Sequence, residues 1–405
     1  MVDGRLIDST EAATRLRVRP ATLYAYASRG LIASEPDPAD PRRRRYRASD
    51  VEALRRATQR GRARAAIAAG ALDWGVAALP SRITLIAGGR LYFRGQDALT
   101  LAETAALEDV ARLLWEASAD PFAETPAARP RGAAMAGPPL DRLRMVLARE
   151  TGRAASMLGR EPAHLKREAA GLLRRLVAAA LGTAAGDRPI DRQIAEAWRL
   201  DRRGRALVRA ALVLLADHEL NASTFAVRVV ASTGAALPAC LGAGLAALSG
   251  PRHGGATARA IALLTELGPG RDAAQLVADR LRRGEALPGF GHPLYPAGDP
   301  RAAFLLARLP ADRLRTRLLA AVERQAGLAP NVDFALAGLV RALRLPAERG
   351  LTLFALARSV GWIAHALEQT GEGKLIRPRA DYVGPPPITP PARPPRSSPR
   401  ISRRS

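Results

Sequence analysis

Lysine is nearly absent from this chain: Lys166 and Lys374 are the only two, so almost all of its 62 basic residues are arginine. Acidic residues number 38, which leaves a formal net charge of +24. Such heavy use of Arg, Ala, Gly and Pro is what a GC-rich genome produces, so the charge alone identifies no partner, although it is compatible with a polyanionic one. Cysteine is limited to Cys240, set among apolar neighbours. No intramolecular disulfide is possible, and a reducing, cytoplasmic compartment is expected. The opening residues, Met1 to Asp8, carry charges where a signal peptide needs its apolar core. No uncharged apolar run approaches the roughly 18 residues of a membrane span, so a soluble, unprocessed chain with no membrane partner is expected. No glycine-rich phosphate loop follows a strand pattern. The residue four after His218 is Ala222 rather than a second histidine, so His218-Glu219 is not a zinc motif, and no metal is expected.

What the chain does have is length, apolar residues and a few concentrated islands. At 405 residues and 48% hydrophobic content, two or three folding units with a large core are expected. Only five histidines occur, and His218, His253 and His292 fall inside three short islands, while His164 and His365 lie outside them. The islands are His218 to Ser223, Gly250 to Gly255, and Pro288 to His292 running on to Asp299-Pro300-Arg301, followed by Asn331-Val332-Asp333.

In the first sixty residues, Asp8 and Glu11 have the spacing of a capping box, opening a short helix with Ala12, Ala13 and Leu16 on its apolar face. Pro20 suits the first position of a second helix, and Gly30 its end. Pro36 to Pro41 reads as a proline-broken loop, and Arg42 to Arg47 as a basic run with Tyr46 in it. The chain then re-enters a helix near Ser49 and Asp50, with Val51 and Leu54 facing inward. This order, with its Arg45-Tyr-Arg-Ala-Ser-Asp-Val51 signature, resembles the MerR-like and excisionase-like winged helix-turn-helix domains over roughly residues 5 to 57. The resemblance implies Thr22, Tyr24 and Arg29 in a major groove, Arg42, Arg43, Arg44 and Arg45 on phosphates, and double-stranded DNA as partner.

Arg55 to Ala71 reads as a helical connector. Ile83 to Ile86, Gly88-Gly89 and Leu91 to Phe93 read as a strand hairpin. From Thr104 the period becomes helical, with Leu107, Val110, Leu113 and Leu114 on one face, and Asp120 to Pro139 reads as a loop. To about residue 370 the pattern is mostly amphipathic helix.

From about Ser81 to Pro385 the chain resembles citrate synthase, the enzyme that joins acetyl-CoA to oxaloacetate. The residues that carry the resemblance are His218 to Phe225, Gly250 to Ala256, Gly289 to His292 with Asp299 to Arg301, Asn331 to Phe334, Arg358 within Ala357 to Gly361, and Arg377 to Tyr382. The implied architecture is mainly α: a two-domain helical synthase fold behind a small winged helix-turn-helix domain. Its parts are residues 1–60, a connector at 61–80, a large domain of 81–253 with 340–384, a small domain of 254–339, and a disordered basic tail at 385–405. Closing the cleft between large and small domains would assemble the site and exclude water.

The resemblance also implies roles. Asp333 is the base that removes a proton from the thioester's methyl group. His253 donates to the enolate oxygen, with Gly254 and Gly255 leaving room for the thioester, and His292 polarises the ketone. His218, Arg301, Arg358 and Arg377 hold the oxaloacetate, Arg377 from the neighbouring subunit of a homodimer, and Pro288, Gly289 and Gly291 contact CoA. No cofactor is implied beyond acetyl-CoA as substrate. Pro293 and Pro296 stand where many members carry basic residues for CoA phosphates, Arg252 replaces a usually apolar residue, and Thr257 stands where asparagine is frequent. Two alternatives stay open: a 2-methylcitrate synthase using propionyl-CoA, and a DNA-binding regulator that senses metabolites through a synthase-like body.

Overall fold

The computed structural model describes residues 5–16, 18, 23, 26–27, 32–38, 40–55, 79–123, 125–129, 137–380, 382 and 384–385, the side chains of 41 and 42 excepted. It divides into two compact units, one formed by residues 1–80 with 378–405 and the other by Ser81–Arg377.

In the first unit, β1 (Leu6–Ile7) leads into α1 (Ser9–Leu16), whose start is capped where Asp8 Oδ1 accepts the Glu11 N–H at 2.8 Å. β2 (Ser34–Asp37) and β3 (Asp40–Arg47) form an antiparallel hairpin, and the sheet order is β1-β3-β2. The expected loop at Pro36 to Pro41 is therefore much shorter than its prolines suggested. β2 is an edge strand, where a missing N–H breaks no ladder, so Pro36 can sit opposite Arg44. Ile7, Ala12, Leu23, Ile32, Tyr46 and Val51 close a small core, with Leu54 packed against it.

The second unit opens with the hairpin β4 (Thr84–Ala87) and β5 (Arg90–Phe93), turned by Gly88 and Gly89 at φ +57° and +72°, with β6 (Gln96–Asp97) beside β5. Both turn residues lie in the left-handed region that a tight hairpin requires. Helices follow: α2 (Ala98–Thr104), α3 (Leu107–Leu114), α4 (Pro139–Thr151), α5 (Pro162–Leu181), α6 (Ile190–Ala197), α7 (Arg202–Leu215), α8 (Ala222–Ser232) and α9 (Leu237–Leu248). The rest of the unit is α10 (Gly255–Leu267), α11 (Ala273–Arg282), α12 (Pro300–Arg308), α13 (Arg313–Ala326), α14 (Val332–Ala342) and α15 (Glu348–Glu372).

Two apolar cores organise these helices. The larger draws on α2 to α9, α12, α14 and α15; the smaller joins α10, α11, α13 and α14 through Leu263, Leu276, Phe290, Leu318 and Phe334. α14 belongs to both, presenting Ala335, Leu336 and Leu339 to the first and Phe334 and Ala337 to the second. α15 is long and apolar enough by length and composition to cross a bilayer, but 89% of that stretch is buried inside this fold. A helix hydrophobic on all sides and surrounded by other helices is a core helix.

α15 also fixes the end of α7. The Gly361 N–H donates to Ala216 O at 3.0 Å and Arg358 Nε to Leu215 O at 2.9 Å, giving partners to carbonyls that a helix end leaves unpaired. The approach is close enough that a Cβ at Gly361 would stand 2.4 Å from Ala216 O. His218 emerges two residues beyond this clamp.

Candidate active site

Each island lies at the start of a helix. Asn221 caps α8, accepting the N–H groups of Ser223 and Thr224, and its amide donates to His218 O at 3.3 Å. Between them Glu219 adopts φ +52°, a strained conformation for a non-glycine that turns His218 back over the cap. His253 lies just before Gly254, the N-cap of α10. Asp299 caps α12 and Asn331 caps α14, with Asp333 in its first turn. Helix N-termini carry partial positive charge, so four of them supplying one site favour anions there.

The loop carrying His292 is laced to the start of α14. Gly291 N donates to Ala329 O at 2.8 Å, Asn331 N to Gly289 O at 2.9 Å, and Asn331 Nδ2 to Gly291 O at 2.9 Å. Gly289, at φ +88°, is pressed so closely on α14 that an added Cβ would meet Phe334 Cβ at 2.9 Å. Pro288 is half-buried, and Gly291 takes φ +73°, where an added Cβ would touch Leu328 Cδ2 at 3.5 Å.

Six of the seven catalytic and substrate-binding candidates come together. The His218 and His292 rings meet edge to face with centroids 5.2 Å apart, and His218 Nε2 lies 3.1 Å from Tyr295 Oη. Burial, reinforced by Arg301 and Arg358, holds the His218 imidazole well below its ordinary pKa. Burial and Arg358 lower His253 to about 4, and burial with Arg301 lowers His292. All three rings are therefore neutral at pH 7. The Leu294 N–H donates to His292 Nδ1 at 3.2 Å, so the neutral ring carries its proton on Nε2. His253 Nε2 lies 2.8 Å from Ser223 Oγ, which also receives the Trp362 Nε1–H at 3.2 Å.

The charges are arranged unequally. Arg301 is gripped by Asp299, Nε to Oδ1 at 3.0 Å and Nη2 to Oδ2 at 2.8 Å, and both residues are buried. Burial raises the Asp299 carboxyl, but Arg301 outweighs it and leaves the group below the usual carboxylate range. Arg358 is also buried, yet among the described residues its guanidinium has no hydrogen-bonded carboxylate. Burial pushes it down to about 10, only partly offset by Asp217. Burial raises Asp333 in turn.

The seventh candidate, Arg377, is exposed beyond the end of α15 and is not brought into this cluster. Gly254 departs from its expected use. A Cβ there would meet Leu248 O at 2.5 Å and Leu351 Cδ1 at 2.6 Å, so protein rather than thioester fills the space beside it. Residue-by-residue reading missed Tyr295, three positions after His292, and gave Asp299, Ser223 and Trp362 no role. It also missed the fully buried Asp217–His365 pair behind His218, at 3.3 Å, where Asp217 further accepts from Thr84 Oγ1 at 2.6 Å. Among the described residues no group of His, Cys, Asp and Glu is arranged to hold a metal ion.

In the first unit, Thr22, Tyr24, Arg29 and the Arg42 side chain lie outside the described residues. Arg43, Arg44 and Arg45 lie on β3 and are held within the hairpin, by Asp40 at 3.5 Å, Ser34 Oγ at 2.8 Å and Asp37 at 3.1 Å respectively.

A helical body with this cluster is the architecture of the citrate synthase fold. Residues 71–379 match the family described as citrate synthase, C-terminal domain, and residues 6–59 a helix-turn-helix domain family. A 2-methylcitrate synthase of Shewanella oneidensis is 32% identical over 343 residues, 75% of this chain and 91% of that protein. Citrate synthase 2 of Bacillus subtilis is 40% identical over 185 residues, 43% of this chain. The chain spans about half the length of the first curated relatives it matches. The crystal structure of citrate synthase from Thermotoga maritima superposes with a TM-score of 0.65 at 28% identity, covering 78% of this chain and 96% of that one. The chain belongs to the citrate synthase family and carries a helix-turn-helix domain at its N-terminus.

Proposed function

We propose that the chain condenses acetyl-CoA with oxaloacetate and hydrolyses the resulting thioester to citrate and CoA. The observation that carries this reading is the pairing of a buried arginine with no hydrogen-bonded carboxylate among the described residues, Arg358, with a carboxylate of raised proton affinity, Asp333, among three neutral histidines. Arg358 and Arg301 suit a dicarboxylate, and a desolvated carboxylate is the base that a weak C–H acid requires.

Asp333 takes a proton from the acetyl methyl group, and His253 donates a hydrogen bond to the enolate oxygen. Ser223 Oγ, which donates to Asn221 Oδ1 at 2.7 Å and lies 2.8 Å from His253 Nε2, anchors the His253 ring. The enolate carbon attacks the ketone of oxaloacetate, and His292 Nε2–H donates a hydrogen bond to the ketone oxygen, polarising it as it becomes an alkoxide that is then protonated from water. Water then cleaves the thioester. Arg377, exposed in its own chain, serves the neighbouring subunit's site in a homodimer, and Pro288, Gly289 and Gly291 line the CoA path.

The test is release of free CoA thiol from acetyl-CoA with and without oxaloacetate, propionyl-CoA being run alongside because the relative that aligns over most of its length is named a 2-methylcitrate synthase. Oxaloacetate-dependent release supports the proposal, and a faster rate with propionyl-CoA moves the product to 2-methylcitrate. One methylene in a pocket is worth about 1–3 kcal/mol, so a few contacts decide between them. Asp333→Ala abolishes turnover on this reading while oxaloacetate binding survives. No release from either thioester refutes it.

The N-terminal domain match favours a second activity alongside the first. We infer that double-stranded DNA is the partner of this unit, with the β2–β3 hairpin on phosphates and Thr22, Tyr24 and Arg29 at the groove. Fluorescence anisotropy with duplex DNA at two salt concentrations tests it. Binding that weakens with salt and with Arg43→Ala/Arg44→Ala is expected, and no binding at low salt refutes it.

A further inference from the structure

A carboxylate base has two oxygens, and only one needs to face the proton it removes. In Asp333 the other is occupied: Thr257 Oγ1 donates a hydrogen bond to Oδ1, while among the described residues no hydrogen bond reaches Oδ2. Thr257 lies in the first turn of α10 and is 1% exposed. Its two branches meet different helices. The methyl Cγ2 packs on Gly350 of α15, where an added Cβ would stand 3.1 Å away, and the hydroxyl faces α14. A β-branched side chain lodged this way has little rotamer freedom. At its other end Asp333 is fixed through its own N–H, which donates to Asn331 Oδ1 at 3.0 Å.

From this geometry we propose that Thr257 is a positioning residue for Asp333, occupying Oδ1 and leaving Oδ2 as the proton-accepting atom. The term base rests on the condensation reading; the contact itself does not. Asp333 also faces Arg301 and Asp299 from the start of α12, Arg259 from α10 and Arg358 from α15. None of these hydrogen-bonds its carboxylate, so removing the Thr257 hydroxyl removes the only such bond among the described residues. A donor to the charged form favours ionisation, and its loss raises the carboxyl further.

The Thr257→Ser and Thr257→Ala variants differ by the hydroxyl alone and separate this role from simple packing. Full-length protein labelled with [4-13C]aspartate is titrated by NMR, the Asp333 resonance being assigned as the one missing from Asp333→Asn. Thr257→Ala is expected to move the Asp333 midpoint up by about one pH unit or more, because a hydrogen bond to a charged group is worth that much. Thr257→Ser should titrate as the wild type does. If Thr257→Ala does not fold, the near-isosteric Thr257→Val takes its place in the comparison with serine. In turnover, the acid limb of kcat should follow the midpoint while the KM for oxaloacetate stays put, since the arginines are untouched.

Coincident midpoints in the hydroxyl-bearing and hydroxyl-free variants overturn the proposal whatever the rates do. Separated midpoints with no oxaloacetate-dependent turnover in the wild type would leave the Thr257 assignment standing and sink the condensation reading instead.

Discussion

Asp299→Asn tests the charge arrangement of the site most directly. The two carboxylate oxygens of Asp299 accept four hydrogen bonds, Arg301 N–H and Nε on Oδ1 at 3.0 Å each, and Arg301 Nη2 at 2.8 Å with the Val332 N–H at 3.0 Å on Oδ2. An asparagine keeps the first pair but presents an NH2 group to the second. It also removes the negative charge facing Arg301, which is 2% exposed. Lost bonds to a charged group are worth about 1.5–3 kcal/mol each, and breaking a buried ion pair by removing one partner about 3–5 kcal/mol. The two figures describe the same contacts, so the expected loss is about 4 kcal/mol, a large part of the roughly 5–15 kcal/mol that holds a protein folded. Asp299 has a depressed folded pKa, so its contribution is present above the unfolded carboxylate value and is lost as pH falls through the folded one. Urea unfolding of wild type and variant should therefore give a gap that is flat from about pH 5 to 8 and closes below about pH 4. Oxaloacetate, supplying negative charge to Arg301, should recover more stability in the variant than in the wild type. A gap under about 1 kcal/mol at pH 7, or one that closes between pH 5 and 8, refutes the argument.

Other expectations concern single buried groups. Glu108 accepts the Ile190 N–H at 2.7 Å, and burial, with Asp191 and Asp109 nearby, pushes its carboxyl up to about 7. A raised carboxyl gives stability that is lost as pH rises through 7, so the stability of Glu108→Gln relative to wild type should grow between pH 5 and 8, by at most about 2 kcal/mol; equal urea midpoint differences at the two pH values would contradict it. Arg358→Leu removes a buried cation that no carboxylate hydrogen-bonds among the described residues but also its bond to Leu215 O, so the melting temperature of the free protein should change little while the KM for oxaloacetate increases at least about tenfold; an undiminished oxaloacetate thermal shift would show that Arg358 does not hold the ligand. Gly361→Ala forces a Cβ onto Ala216 O at 2.4 Å and should destabilise by about 1–3 kcal/mol in urea, with weaker oxaloacetate binding through His218; unchanged stability would mean the helices part freely.

Much of this site was legible because its residues occupy turns. His218, His253, His292 and Asp333 stand beside cap and glycine signals that a helical sequence uses for punctuation, and the structure brings them together. The β4–β5 hairpin and the inward positions of Val51 and Leu107 followed from turn chemistry and period. What could not be read were contacts between distant segments. The bond from Thr257 to Asp333, the approach of Trp362 to Ser223, and the pairing of Asp217 with His365 each join residues separated by 76 or more positions. No local period encodes them. Gly254 was misread for the same reason, since the neighbours that exclude a side chain there include Leu351, far along the sequence. The β2 strand was missed because two prolines outweighed an edge position that only the assembled sheet reveals.

α14 carries Asp333 and is walled in by both apolar cores. Apart from the half-buried Asp333, residues 332–340 therefore have no solvent face on which chance substitutions could accumulate. Mutational tolerance should reach its minimum there, because a change that repacks either core also moves the carboxylate. The two cores are coupled through one helix: an enlargement on the Phe334 side should be tolerated best when paired with a loss of volume among the neighbours of Leu336 and Leu339.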